Sequence, residues 1–173
     1  MKILIISDSH GWTDELADVI AQQKPNVSAI FHCGDSELPH HAPQLENCYV
    51  VRGNCDFDEE FPEERVEEIE GTRVYMTHGH LYNVKMSHVP ITYRAEEVGA
   101  NIACFGHSHV ATSFSENNVV YINPGSIRLP RNRKEQTYCI CEINENREVT
   151  VTFYDRTGKD IPDLTSHYLI GQD

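Results

Sequence analysis

Short apolar runs recur along the chain, and most are closed by Gly, Asp, Asn or His. Residues 2–7 open the series as a buried strand. Asp14–Gln23 carries the 3.6-residue period of an amphipathic helix, with Leu16, Ala17, Val19 and Ile20 apolar and Thr13 as its cap. Residues 28–33, bounded by Pro25-Asn26 and Gly34, read as a second strand, and residues 48–52 as a third. This β-α-β-(short helix)-β order predicts parallel strands with right-handed crossovers.

The second half changes character. Residues 66–69 and 72–77 flank Glu70-Gly71, a hairpin signal. Residues 92–99 predict a helix closed by Gly99, followed by a strand over 102–105. Residues 111–115 and 119–122 flank a turn at 116–118, and 137–143 and 148–154 flank another at 144–147. Parallel strands first and antiparallel hairpins later predict an α/β fold of two packed mixed sheets flanked by helices. With no repeat, low-complexity stretch or long linker, one domain over residues 1–173 is expected. The pattern does not place the tail, 155–173.

Composition narrows the class. A chain of 173 residues, 39% hydrophobic, can bury a core without staples. The apolar run Ile3–Ile6 is too short for a signal sequence or a membrane span. Without an export signal, the six cysteines are expected to be reduced thiols of a cytoplasmic protein. No CxxC pair is present, and Cys139 and Cys141 are expected to point to opposite strand faces, a poor metal clip. The net charge of −13 argues against a nucleic-acid partner. Much of the acid lies in residues 56–70, read as a solvated edge.

The chemistry lies at strand ends. Strand one runs into Asp8-Ser9-His10, strand two into Gly34-Asp35, and strand three into Gly53-Asn54-Cys55-Asp56. Later strands run into His78-Gly79-His80 and Gly106-His107-Ser108-His109. In α/β sheets ligands bind at the carboxyl ends of strands, so these groups can converge at one rim. Turn chemistry explains Gly, Asn and Asp, but not histidine in three of the five loops. Imidazole, carboxylate and amide oxygen without thiolate suit Mn²⁺, the first choice, or Fe²⁺ or Zn²⁺. Seven ligands are too many for one tetrahedral ion and suit two ions sharing a bridge, with Asp35 as the expected bridging carboxylate.

D-x-H, G-D, G-N-x-D, a His loop and G-H-x-H, in that order from Asp8 to His109, resemble the calcineurin-like metallophosphoesterases. Asn123-Pro124-Gly125-Ser126 resembles their small bacterial and archaeal phosphodiesterase branch. The resemblance implies a four-layer sandwich and two divalent ions, with Ni²⁺ a further alternative. One ion would be held by Asp8, His10, Asp35 and His109, the other by Asp35, Asn54, His78 and His107. Asp35, Asn54 and His78 carry the catalytic assignment, and Cys55 and His80 are candidates for contacting substrate. Many members carry His where this chain has Cys55, a poor proton donor near neutral pH, which leaves the leaving-group acid open.

The expected reaction is in-line attack on a small phosphodiester by a metal-bridging hydroxide, between ions roughly 3.5–4 Å apart. Such a centre would be a local anion site of about +1 on an acidic protein. Alternatives are a non-catalytic scaffold, as in the retromer subunit that resembles this family, and a nuclease. Exposed hairpin edges permit a homodimer without requiring one.

Overall fold

The computed structural model describes residues 1–171. Its first strands are β1 (Lys2–Ile6), β2 (Ala29–His32) and β3 (Tyr49–Val50), with helix α1 (Asp14–Gln23) between β1 and β2. Then come β4 (Glu64–Ile69), β5 (Thr72–Thr77), α2 (Val89–Glu97), β6 (Ile102–Cys104), β7 (Thr112–Glu116) and β8 (Val119–Asn123). The chain continues through β9 (Thr137–Ile143), β10 (Glu148–Asp155) and β11 (Ser166–Leu169).

Two mixed sheets result. One has the order β11-β10-β9-β1-β2-β3, the other β4-β5-β6-β8-β7. β1, β2 and β3 run parallel, as do β5, β6 and β8. The hairpins β4–β5, β7–β8 and β9–β10 supply the antiparallel pairs. β9 lies antiparallel against β1, placing the C-terminal hairpin beside the first strand.

Period-2 alternation sorts the core into layers. Ile3 and Ile5 of β1 face Val74, Met76, Ile102, Cys104, Val120 and Ile122 between the sheets. Leu4 and Ile6 face outward onto Leu16 and Val19 of α1. On the other outer face, Tyr75, Ala103, Phe105 and Tyr121 meet Ile91 and Ala95 of α2. The result is helix, sheet, sheet, helix. Each fully buried aliphatic side chain contributes about 1.5–3 kcal/mol by leaving water. β1, buried on both faces, therefore anchors the whole stack.

Several local expectations need correction. α2 begins at Val89, with Pro90 in its first turn, where a missing N–H costs nothing; the expected helix began at residue 92. Thr13 is the N-cap of α1 by position, yet its side chain makes no capping hydrogen bond. Cys139 and Cys141 both point into the inter-sheet core, because residues two apart on a strand share a face. Both remain apolar core residues. The unplaced tail supplies β11, paired antiparallel with β10; residues 172 and 173 lie outside the described residues. No helix among those residues is long and apolar enough to cross a membrane.

Candidate metal centre

Asp8 and His10 follow β1, Asp35 follows β2, and Asn54 follows β3. His78 follows β5, and His107 and His109 follow β6. The carboxyl ends of both sheets therefore meet at one rim. Asp8 N–H donates to Gly34 O (3.0 Å) and His10 N–H to Asp35 O (2.9 Å), which ties the first two loops together. Asp8, His10, Asp35, His107 and His109 all adopt left-handed backbone, with φ between 44° and 70°. Such conformations cost of order 1–3 kcal/mol each and persist where the surroundings over-determine them, commonly at functional sites.

The side chains converge on Asp8. Its Oδ2 accepts from Ser7 Oγ (2.6 Å) and from His107 N–H (3.1 Å). Its Oδ1 is buried and has no hydrogen-bond donor. Three Nε2 atoms surround that oxygen, from His109 at 3.1 Å, His10 at 3.6 Å and His78 at 3.7 Å. Asp35 Oδ2 lies 3.1 Å from His78 Nε2 and 4.0 Å from His10 Nε2, while its Oδ1 accepts Cys55 N–H at 2.8 Å.

Backbone carbonyls fix two of these imidazoles. His78 Nδ1 donates to Cys33 O and His109 Nδ1 to Leu129 O, both at 2.7 Å. A carbonyl only accepts, so in the neutral ring Nδ1 holds the hydrogen and Nε2 presents a lone pair. Lone pairs aimed at carboxylates repel unless a proton or a cation lies between. His10 Nδ1 meets Glu37 Oε2 at 3.2 Å, and its Nε2 lies 3.2 Å from that of His109. The carboxylates and imidazoles form groups of metal-ligand size: Asp8/His10/His109, Asp8/Asp35/His78 and His10/Asp35/Cys55, each with donor atoms within 4.8 Å of one another. The donor set and the orphaned buried atoms fit divalent cations.

Electrostatics without a cation follow from the same contacts. Burial opposes ionisation of Asp8, yet His10, His109 and His78 outweigh it and hold its carboxyl well below the usual range. The neighbouring Asp8 carboxylate raises His10, more than burial lowers it. Burial lowers His78, but Asp35 and Asp8 more than compensate and raise it. Burial, His78 and Lys85 lower His107 to about 4. Partial burial of the sulfur and the adjacent Asp35 push the Cys55 thiol up to about 11.

Support comes from behind. Asp56 Oδ2 accepts Asp35 N–H (2.8 Å) and Gly53 N–H (2.7 Å), and Oδ1 accepts Glu37 N–H (2.8 Å), tying the loops after β2 and β3 together. Gly53 and Gly106 allow close approach: a Cβ there would stand 2.1 Å from Asp35 Oδ1 and from Ser7 Oγ, respectively. Ser126 Oγ donates to Asp8 O (2.7 Å), and Asn123 Nδ2 donates to Gly106 O (3.1 Å), so the Asn123–Ser126 turn braces both loops.

The remaining candidates lie around this cluster. Asn54 is exposed, its amide donating to Cys55 Sγ at 3.6 Å. The His107 ring stands 5.1 Å from that of His78 and lies outside the three ligand groups. His80 packs 5.5 Å from His78, and its buried Nδ1 has no partner. His32 supports the loop after β1, with Nε2 donating to Ser9 Oγ at 2.8 Å and Nδ1 accepting Gly34 N–H at 3.2 Å. Arg128 donates to the His10 carbonyl and lies over the Trp12 ring. Its partner is a backbone oxygen, which leaves no mark in a sequence.

Residues 1–146 match the family model described as the calcineurin-like phosphoesterase superfamily domain. The chain belongs to that superfamily. It is 46% identical over 164 residues to the probable metallophosphoesterase YsnB of Bacillus subtilis, covering 95% of this chain and 96% of that one. A solved structure of a predicted phosphoesterase from Streptococcus pneumoniae TIGR4 superposes with a TM-score of 0.92 at 36% identity, covering 96% of each chain. Phosphodiesterase YfcE of Escherichia coli K12 is 25% identical over 165 residues, covering 80% of this chain and 85% of that one. The family implies divalent metal ions, and the cluster around Asp8 has the donors to hold them.

Proposed function

We propose that this protein hydrolyses small phosphodiesters at a two-metal centre. The observation that carries the reading is Asp8 Oδ1, buried, without a donor and ringed by three imidazole nitrogens. Asp8, His10, Asp35 and His109 would hold one ion; Asp35, Asn54, His78 and His107 would hold the second. Mn²⁺ is the first choice, with Fe²⁺, Zn²⁺ or Ni²⁺ compatible with the same donors. When bound, such ions acidify water and polarise a phosphoryl oxygen.

The chain's own residues set the stage. Asp56 fixes the Asp35 loop, and the Cys33 and Leu129 carbonyls hold the His78 and His109 rings with Nε2 inward. In the metal-free protein, burial and Asp35 push the Cys55 thiol up to about 11, which favours water over a thiolate as the nucleophile. His80 and Asn54 line a polar pocket of about 310 Å³ with Arg52 and Glu63, suited to the departing oxygen. The reading of one domain, cytoplasmic with six free thiols, accompanies this function. A net charge of −13 favours a small ester over a nucleic-acid backbone, and a homodimer is compatible with the exposed hairpin edges.

The test is hydrolysis of bis(4-nitrophenyl) phosphate by chelator-stripped protein with Mn²⁺ restored, beside 4-nitrophenyl phosphate and an Asp35→Ala control. Mn²⁺-dependent diesterase activity absent from the control supports the reading. A protein that binds no metal would overturn it.

A further inference from the structure

A second groove, of about 400 Å³, is lined in part by Ser108 of the loop after β6. Val84, Val110 and Thr112 give it a largely apolar lining, and His88 closes one side. The His88 ring is stacked on Phe114 with centroids 5.0 Å apart. Lys85 and Arg131 also line the groove, both exposed, and neither forms an ion pair among the described residues.

The groove is continuous with the metal centre. Ser108, in its wall, separates His107 from His109. Arg131 N–H donates to His109 O at 3.0 Å. The segment carrying Lys85 is clamped under the His78 loop: a Cβ on Gly79, at φ +109°, would stand 2.8 Å from Val84 Cγ2. Two unpaired cations beside an apolar hollow are unusual placements for a chain of net charge −13. The pocket at Asn54 contains Arg52, Asp56, Glu63 and His80 as well and suits the leaving oxygen; the apolar groove suits the arm that stays on phosphorus.

We propose that this groove selects the retained arm of the substrate, and that this arm has a planar apolar body ending in a carboxylate or phosphate. The inference rests on the phosphodiesterase reading. The apolar body is desolvated against Val84, Val110 and the His88 edge, while Lys85 and Arg131 meet the terminal anion.

Two synthetic diesters test it: 4-nitrophenyl 4-carboxyphenyl phosphate and its 4-carbamoylphenyl counterpart. In each, water adds to phosphorus, the bond to 4-nitrophenolate breaks, and the second aryl group remains as the monoester. The Mn²⁺-loaded protein should prefer the carboxylate by about tenfold in kcat/KM, against the repulsion of its overall charge. That ratio should fall toward one in Lys85→Gln/Arg131→Gln. The product 4-carboxyphenyl phosphate should also shift the backbone amide resonances of Lys85, Val110 and Asn132. Equal turnover of both esters, or a ratio untouched by the double substitution, overturns this inference and leaves the phosphodiesterase reading standing. Turnover of neither overturns both.

Discussion

Replacing Asp56 by Asn tests whether the centre is held by its second layer of contacts. The buried Asp56 carboxylate accepts three backbone N–H groups, two on Oδ2 and one on Oδ1. An amide of the same shape keeps one oxygen, which can serve the Asp35 and Gly53 donors. Its NH₂ then faces the Glu37 N–H, donor against donor. Hydrogen bonds to a charged group contribute about 1.5–3 kcal/mol, and neutral ones about 1. One bond lost and two weakened come to about 4 kcal/mol, a large share of the 5–15 kcal/mol typical of a folded domain. With a urea slope of about 2 kcal/mol per molar, the midpoint of the chelator-treated protein should fall by about 2 M. Calorimetric Mn²⁺ titration should show weakened binding as well, since Asp35 is no longer fixed. A midpoint shift below about 0.5 M with unchanged metal affinity would refute the reasoning, because the three contacts would then be energetically idle.

Gly53→Ala and Gly106→Ala should each lower metal affinity by tenfold or more, because the added methyl must displace Asp35 or Ser7; unchanged calorimetric titrations would contradict the close-approach argument. His10 and His78 have raised pKa values in the metal-free protein, so their stabilising charge is present below about 6.5 and lost as pH rises through the folded values. The metal-free Tm should therefore decline above pH 6.5, and Mn²⁺ affinity should rise over the same range as the imidazoles give up protons; a flat Tm and flat affinity would defeat the assignment. Cys55, with its thiol near 11, should alkylate roughly 100-fold more slowly at pH 7.5 than an unperturbed thiol, read by mass spectrometry of the modified peptide. Reaction at the rate of free cysteine would contradict that placement beside Asp35.

The strands that hold the ligands were legible because both physics and chemistry mark them. β1, β2 and β6 are apolar runs with clear ends, and each ligand loop begins where such a run stops. The strand order was not legible. Nothing local to residues 137–143 says that β9 pairs with β1, since that register is decided by which face must be buried. β11 was missed because Ser166–Leu169 alternates half-buried and exposed positions at a sheet edge, a weak pattern. At the site, Asp8, His10, Asp35, His78 and His109 announce themselves by residue type, and the fold gathers them. The carbonyls of Cys33 and Leu129 that orient the imidazoles carry no residue signature at all. Asp56 shows in the sequence only as the last residue of the G-N-x-D run, because its three partners come from residues 35, 37 and 53.

The position of β9 has a consequence for the order of events in biosynthesis. All the candidate ligands lie within the first 109 residues, yet the strand on which Asp8 is mounted gains its second neighbour only with Thr137–Ile143. A nascent chain that has just exposed His109 holds every donor atom but lacks half the scaffold of β1. Pairing across such a separation is slow, since loop closure must precede the contacts that reward it. Ion capture should therefore be a late, post-translational event, and a released fragment ending near residue 120, with every candidate ligand but no β9, should fail to retain Mn²⁺ that the full chain holds.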